Sequence, residues 1–151
     1  MEAANATRET NFMNAVDANI LVYAFDEDEP IKHAKANELL DRLSQNPTQT
    51  LLLWQAAAEF LGVLRKWQHA GQLQEHQVEQ AFQMVRGMFP FRMPSARTFK
   101  ISFDFRSRFS LSHWDSMLLA ACKEANVDVL YSEDMDPGTD YDGLKIENPF
   151  A

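Results

Sequence analysis

Apolar and polar positions along this chain fall into blocks whose period switches between that of a strand and that of a helix. The first block is Asn14–Phe25 (NAVDANILVYAF), where Val16, Ile20, Leu21, Val22, Tyr23 and Phe25 are apolar. It predicts a short strand at about 14–18; for 19–25, periodicity does not separate a continued strand from a helical turn. Asp26–Pro30 has the acids and the proline of a helix start. Ala36, Leu39, Leu40 and Leu43 then share one helical face, which Asn46-Pro47 ends. TLLLW (50–54) is a short continuous apolar run, the pattern of a fully buried strand. Residues 55–67 predict a helix with Phe60, Val63, Leu64 and Trp67 on one face, stopped by Gly71. A further helix over 75–88 uses Val78, Phe82 and Val85. Residues 89–93 fit a strand only at a sheet edge, because Pro90 has no N–H to give a ladder. Residues 95–106 read as a helix with Phe99, Phe103 and Phe105 beneath a charged face. The clearest helix spans 112–126, with Ser112 as N-cap and Leu118, Leu119 and Cys122 inside. VDVLY (127–131) is a buried strand, 132–143 a polar loop, and 144–147 a last short strand.

Helices alternating with buried strands predict an α/β sandwich around a mostly parallel sheet. In such folds ligands lie beyond the carboxyl ends of the strands. The chain shows no internal repeat and no low-complexity linker, so 13–151 reads as a single domain. Residues 1–12 (MEAANATRETNF) are polar and unpatterned and read as a disordered extension, with Met13 an alternative start. They lack the apolar core of a signal peptide. The sequon Asn5-Ala6-Thr7 has no meaning at such an end of a cytoplasmic protein. A length of 151 residues, 46% apolar and 24% charged, is that of an ordinary globular domain. The lone cysteine excludes an internal disulfide and suits a reducing cytoplasm. No apolar run approaches the ~20 residues of a membrane span.

Four acids stand out against this pattern. Asp17 lies inside an apolar run, where a carboxylate is rare unless paired, protonated or metal-bound. Asp134 follows the VDVLY strand, so both fall on the ligand side of a parallel sheet. Glu59 lies with Ala56 and Val63 on a largely apolar helix face. Asp115 is in the first turn of its helix, where the macrodipole favours an ionised carboxylate. Each has a plainer reading: Asp17 caps the turn after it, Glu59 pairs with Arg65 or Lys66, Asp115 completes a capping box with Ser112, and Asp134 is one loop acid among many. Taken together, clustered carboxylates without interleaved His or Cys suit hard, oxygen-preferring cations. Mg²⁺ or Mn²⁺ held so can activate a water against a phosphodiester.

Net charge is −8, which counts against patch-wide nucleic-acid binding. The charge is uneven, however. Between Arg86 and Arg108 there are six bases (Arg86, Arg92, Arg97, Lys100, Arg106, Arg108) against Asp104 alone. Residues 128–147 are strongly acidic. Arg92, Arg97, Lys100, Arg106 and Arg108 are therefore expected to form a rim for a polyanion beside a cation-holding pocket. Trp54, Trp67 and Trp114 offer faces for base stacking, although packing explains them equally. His113 beside Trp114 is read as an exposed helix-start histidine.

These residues resemble a known family, the PIN domain, and within it the VapC-type toxins of bacterial toxin–antitoxin pairs. VDANILVYAFD (Val16–Asp26) is similar to the family's opening segment, with its first acid and nearby Asn. QAAAEFLGVLRK (Gln55–Lys66) resembles the helix of the second acid. HWDSMLLAACKEANVDVLYSEDM (His113–Met135) resembles the third acid's helix and the strand leading to the fourth. LKIENPF (Leu144–Phe150) resembles the last strand and tail. The resemblance implies an α/β/α sandwich with a five-stranded parallel sheet and a ribonuclease dependent on Mg²⁺ or Mn²⁺. It also implies RNA as substrate, a small antitoxin protein as partner, and frequent homodimers. By this likeness Asp17, Glu59, Asp115 and Asp134 are the metal-site and catalytic acids, with Asn19 and Ser132 orienting carboxylates or waters. Ala18 departs from the hydroxyl residue of many relatives, and Asp136 adds an acid close to Asp134 that shares the supporting role.

Two other classes compete. One is a PIN-like domain that binds RNA or protein without cutting. The other is a phosphotransfer enzyme or receiver. It is disfavoured by Asn19 where a second Asp is needed, and by Lys145 as the only late lysine. An antitoxin segment is expected to fill an apolar groove bordered by the helices 31–43 and 55–67, on the surplus of large apolar residues there, Trp54, Trp67 and Phe60 among them; the plainer reading places them in the core, Phe60 above all.

Overall fold

The computed structural model describes residues 12–151. Five strands form its sheet: β1 (Asn14–Val16), β2 (Thr50–Leu53), β3 (Phe91–Arg92), β4 (Val129–Tyr131) and β5 (Lys145–Glu147). Among the described residues, six helices accompany them: α1 (Ala18–Tyr23), α2 (Pro30–Ser44), α3 (Trp54–His69), α4 (Glu75–Arg86), α5 (Arg97–Arg108) and α6 (His113–Glu124). The strand order is β3-β2-β1-β4-β5, and every neighbouring pair is parallel. The expected sandwich is therefore present, with a sheet that is wholly rather than mostly parallel. The extension expected at 1–12 lies, apart from Phe12, outside the described residues. No helix among the described residues is long and apolar enough to cross a membrane.

Strand alternation divides the core in two. Val16, Leu52, Val129 and Tyr131 point to one face and pack with Ile20, Leu21, Leu40, Phe60 and Leu64 from the first three helices. Ala15, Leu51, Leu53 and Leu130 point to the other, against Phe105, Leu118, Leu119 and Cys122 of α5 and α6. A strand with both faces covered has no polar positions to spare, which explains the continuous apolar runs in the sequence. Cys122 is fully buried, and burial pushes its thiol well above its ordinary range, so it serves as a small core residue. β5 returns parallel to β4 through the 132–144 loop, without a helix; its length is about the dozen residues such a crossover needs.

Local chemistry sets the boundaries. Pro30 sits at the start of α2 as expected. Gly71, with φ +82, turns the chain after α3, a conformation that side chains with a Cβ resist. Pro90 lies at the sheet edge and gives its carbonyl to Leu52 N at 2.8 Å, leaving a two-residue β3. Trp54, read as strand, instead opens α3, because the β2–β3 register ends at Leu53 with Arg92 and leaves nothing to pair beyond it.

α5 corrects the sequence reading more substantially. Its buried positions are Thr98, Ser102 and Phe105, helped by Ile101. Phe99 and Phe103 lie one position further round, about 100° away, and are 61% and 78% exposed. Only Phe105 of the three lies beneath the charged face.

Candidate active site

The sheet itself brings the first two residues of the site together. Val16 pairs with Tyr131, so the next residues, Asp17 and Ser132, emerge side by side at the carboxyl ends of neighbouring parallel strands. Asp17 N still donates to Tyr131 O at 2.8 Å, and Ser132 N to Glu147 O at 2.9 Å. Both side chains are buried. Asp17 then caps α1: its Oδ1 accepts from Ala18 N at 2.7 Å, while Oδ2 accepts from Ser132 Oγ at 2.8 Å. The plain capping role foreseen for Asp17 is real, and it holds the carboxylate in one orientation. Ser132 Oγ also accepts from Asp134 N at 3.3 Å. Asn19 Nδ2 donates to Asp134 Oδ2 at 3.0 Å, leaving Asn19 Oδ1 buried and without a partner.

Electrostatics distinguishes the members of this group. Burial pushes the Asp17 carboxyl up to about 6, against the donors Ser132 Oγ and Ala18 N, which hold it down; the charges of Glu59 and Asp134 add to the upward push. The charges of Glu59 and Asp134 thus both reach Asp17. Glu59 departs from its inward placement: it is exposed, between buried Ala56 and half-buried Val63. Neither Arg65 nor Lys66 pairs with it; Gln55 Nε2 donates to its Oε1 at 3.0 Å, while Arg65 turns to Glu75. Asp115 sits as foreseen in the first turn of α6, with its N–H donating to Ser112 Oγ at 3.2 Å. Its charge acts on the Tyr141 hydroxyl and is not among those that shift Asp17. Asp136 is occupied in its own loop, where it accepts from Gly138 N at 2.8 Å and Thr139 Oγ1 at 2.7 Å.

The carboxylates of Asp17 and Asp134 and the Ser132 hydroxyl offer oxygen donors, which suit a hard cation. The unpartnered Asn19 Oδ1 adds an acceptor beside Asp134. Among the described residues, no three His, Cys, Asp or Glu side chains are gathered closely enough to hold a metal ion.

The basic rim is only partly free. Arg108 is bound by Asp104 at 2.6 Å and by Asp142, and it lies over the Phe105 and Phe109 rings. Arg97 and Lys100 share a depression with Asp104 and Asp142. Arg106 is exposed, and Arg92 is exposed beside a separate apolar cleft. Two contributors went unnoticed in the sequence. Gln55 joins Glu59 to the start of α6 by donating also to Trp114 O at 3.0 Å; its position four residues before Glu59 was the available signal. Lys32 pairs with Glu133, next to Asp134, and reaches Tyr23 Oη at 3.3 Å. Those partners lie 101 residues apart, and nothing in the sequence joins them.

The family model of the PIN domain matches residues 15–138, a span that holds all four acids. The chain belongs to the PIN domain family. No curated protein sequence matches it. Solved structures share the fold of this PIN domain at low identity. A toxin–antitoxin complex from Klebsiella pneumoniae is 19% identical, with 90% of this chain and 97% of that one covered at a TM-score of 0.63. VapBC2 from Rickettsia felis, bound to a DNA fragment from its promoter, is 15% identical over 91% and 98% of the chains, with a TM-score of 0.69. VapC20 from Mycobacterium tuberculosis, a toxin that cleaves the sarcin–ricin loop, is 12% identical over 83% and 91%, with a TM-score of 0.57.

Proposed function

We propose that this PIN domain is an endoribonuclease dependent on Mg²⁺ or Mn²⁺, the toxin of a toxin–antitoxin pair acting in the cytoplasm. The observation that carries the reading is the strand-end pair Asp17–Ser132, with Asp134 and Glu59 close enough to raise the Asp17 carboxyl. Asp17, Glu59, Asp115 and Asp134 would hold the cation, with Asp115 closing the group from α6. A bound cation supplies charge neutralisation at the phosphate and a more acidic water. The chain's own work is orientation. Ser132 fixes Asp17 Oδ2, Asn19 fixes Asp134, and Gln55 fixes Glu59. Asp136 supports the group by shaping the loop that follows Asp134.

An antitoxin would lie along α1, between α2 and α3, where Val22, Tyr23, Phe25 and Leu61 are half-buried and Ile31 is exposed. Phe60 is in the core, as its plainer reading had it, Trp67 packs half-buried against that core, and Trp54 opens on a different cleft. A basic antitoxin side chain reaching the acids would inhibit by displacing the cation. Homodimerisation completes the proposal.

The test is cleavage of total RNA by purified protein with Mg²⁺ or Mn²⁺, with chelator, and with Asp17→Asn. Cleavage that needs the metal and vanishes in the variant supports the reading; metal-independent or absent cleavage by the wild type overturns it. The second reading, an RNA- or protein-binding domain that does not cut, draws on the acids' not being gathered at metal-binding distance. RNA binding with no cleavage under any metal would favour it.

A further inference from the structure

Four of the eight large apolar side chains exposed among the described residues line a single cleft. A cleft of about 500 Å³ opens between the starts of α3 and α6, the segment after β3, and α5. Trp54, Met93, Phe99 and Trp114 line it, exposed by 47%, 57%, 61% and 62%. Large apolar side chains gathered in one cleft, rather than scattered singly, mark an interaction site. Three features indicate the occupant.

The cleft is continuous with the acids. Gln55 lines it and donates from one Nε2 to both Glu59 Oε1 and Trp114 O, each at 3.0 Å. Along α3, Gln55 precedes Glu59 by four positions, about one turn, so the two share a face of the helix and the cleft's edge adjoins the acid. The cleft also has a cation at its lip. Arg92 lines it and forms no ion pair among the described residues. The one acid in the lining, Glu124, is turned to α5 and accepts from Ser95 N at 3.1 Å and Thr98 Oγ1 at 2.7 Å. Finally, three of the four large exposed side chains in the lining, Trp54, Phe99 and Trp114, are aromatic. Flat faces beside a free guanidinium are what unstacked bases and their phosphates need, whereas paired bases have both faces already covered.

We infer that this cleft is a base-stacking subsite: Trp54 and Trp114 hold one or two unpaired nucleotides beside the scissile phosphate, and Arg92 takes an adjoining phosphate. The inference rests on the ribonuclease reading and adds to it the place where unpaired bases beside the cut are held.

Binding is measured in chelator, so that turnover plays no part. Full-length protein is titrated into fluorescein-labelled ten-nucleotide single strands and into the same strand in duplex. Single strands should bind at least tenfold more tightly than duplex and quench tryptophan emission. Trp54→Ala and Trp114→Ala should each weaken single-strand binding about tenfold, as loss of a base–aromatic stack predicts, and Trp114→Phe should recover most of it. Wild type that binds no single strand, or binds duplex equally, overturns the subsite. So do folded alanine variants that bind as wild type. A fall in sedimenting mass of those variants, with RNA affinity per subunit unchanged, would assign the cleft to a second copy instead. The two readings fail separately. Stacking-dependent binding without metal-dependent cleavage removes the ribonuclease but keeps the subsite; undiminished cleavage by both alanine variants does the reverse.

Discussion

The structure treats the acids of the 136–142 loop and the acid at the end of β1 in opposite ways. In the 136–142 loop every aspartate is spent on holding the loop itself. Asp136 accepts from Gly138 and Thr139, Asp140 from Gly143 N at 2.5 Å, and Asp142 from Arg108. Their partners hold the Asp136 and Asp142 carboxyls below the ordinary range. At the ends of β1 and β4 the reverse holds: burial and like charge push Asp17 up to about 6 despite its two donors. Acid density along a sequence therefore says little about a site. An acid whose partners stabilise its charge serves the fold, whereas one kept where its charge is disfavoured marks a candidate site.

The largest test of this contrast is catalytic. Asp17→Asn should lower RNA cleavage by about three orders of magnitude or more, within the range of losses seen when a group that positions transition-state charge is removed. Asp142→Asn, in the 136–142 loop, should leave cleavage within about threefold. Equal losses in both, measured by initial rates at saturating metal, would erase the distinction.

The next concerns stability without metal. Folded Asp17 keeps its proton up to about 6, against an ordinary 3.8. Between those values the folded protein holds a proton that the unfolded chain has released, so stability falls as pH rises through the window. Asp17→Asn should remove that slope and, above about pH 6.5, raise stability by up to roughly 3 kcal/mol. Urea titration in chelator at pH 4.5 and 7.5 reads it; a slope unchanged in the variant would place its origin elsewhere.

Ser132→Ala removes the donor to Asp17 Oδ2 and leaves a buried carboxylate oxygen unsatisfied. It should cost about 1–3 kcal/mol near neutral pH. Cleavage should also weaken, because Asp17 loses its orientation. A variant as stable as wild type at pH 7.5 would show that the hydroxyl is dispensable. The smallest expected effect is in the loop. Asp136→Ala should quicken hydrogen exchange at the Gly138 and Thr139 amides while leaving that of the β4 amides unaltered.

Much of this arrangement was legible beforehand, for identifiable reasons. Buried parallel strands leave continuous apolar runs, so β1, β2 and β4 and the residues that follow them could be located. Ser112, Pro30 and Gly71 mark helix ends through local backbone chemistry, which needs no tertiary knowledge. Helix phase was harder. α5 carries Phe at 99, 103 and 105, and hydrophobicity alone favours burying them all. The structure instead buries Thr98 and Ser102, whose hydroxyls bond Glu124 Oε2 at 2.7 Å and Phe99 O at 2.6 Å. Glu59 was misplaced for the same reason: an apolar face next to a site and an apolar face in the core have one signature. Lys32–Glu133 and Arg108–Asp142 depend on the fold bringing distant segments together, and no local pattern encodes them.

The Asp17–Ser132 hydrogen bond joins residues 115 positions apart, and β1 cannot take its place between β2 and β4 until β4 exists. At about 5–20 residues per second, a ribosome needs roughly 6–23 s to travel that distance. Throughout that interval the nascent chain carries its first acid without the partner that orients it. A chain stopped anywhere before Ser132 lacks the pair altogether. Under the function proposed above, synthesis would therefore shield the cell from a half-made nuclease by the order in which the strands are threaded.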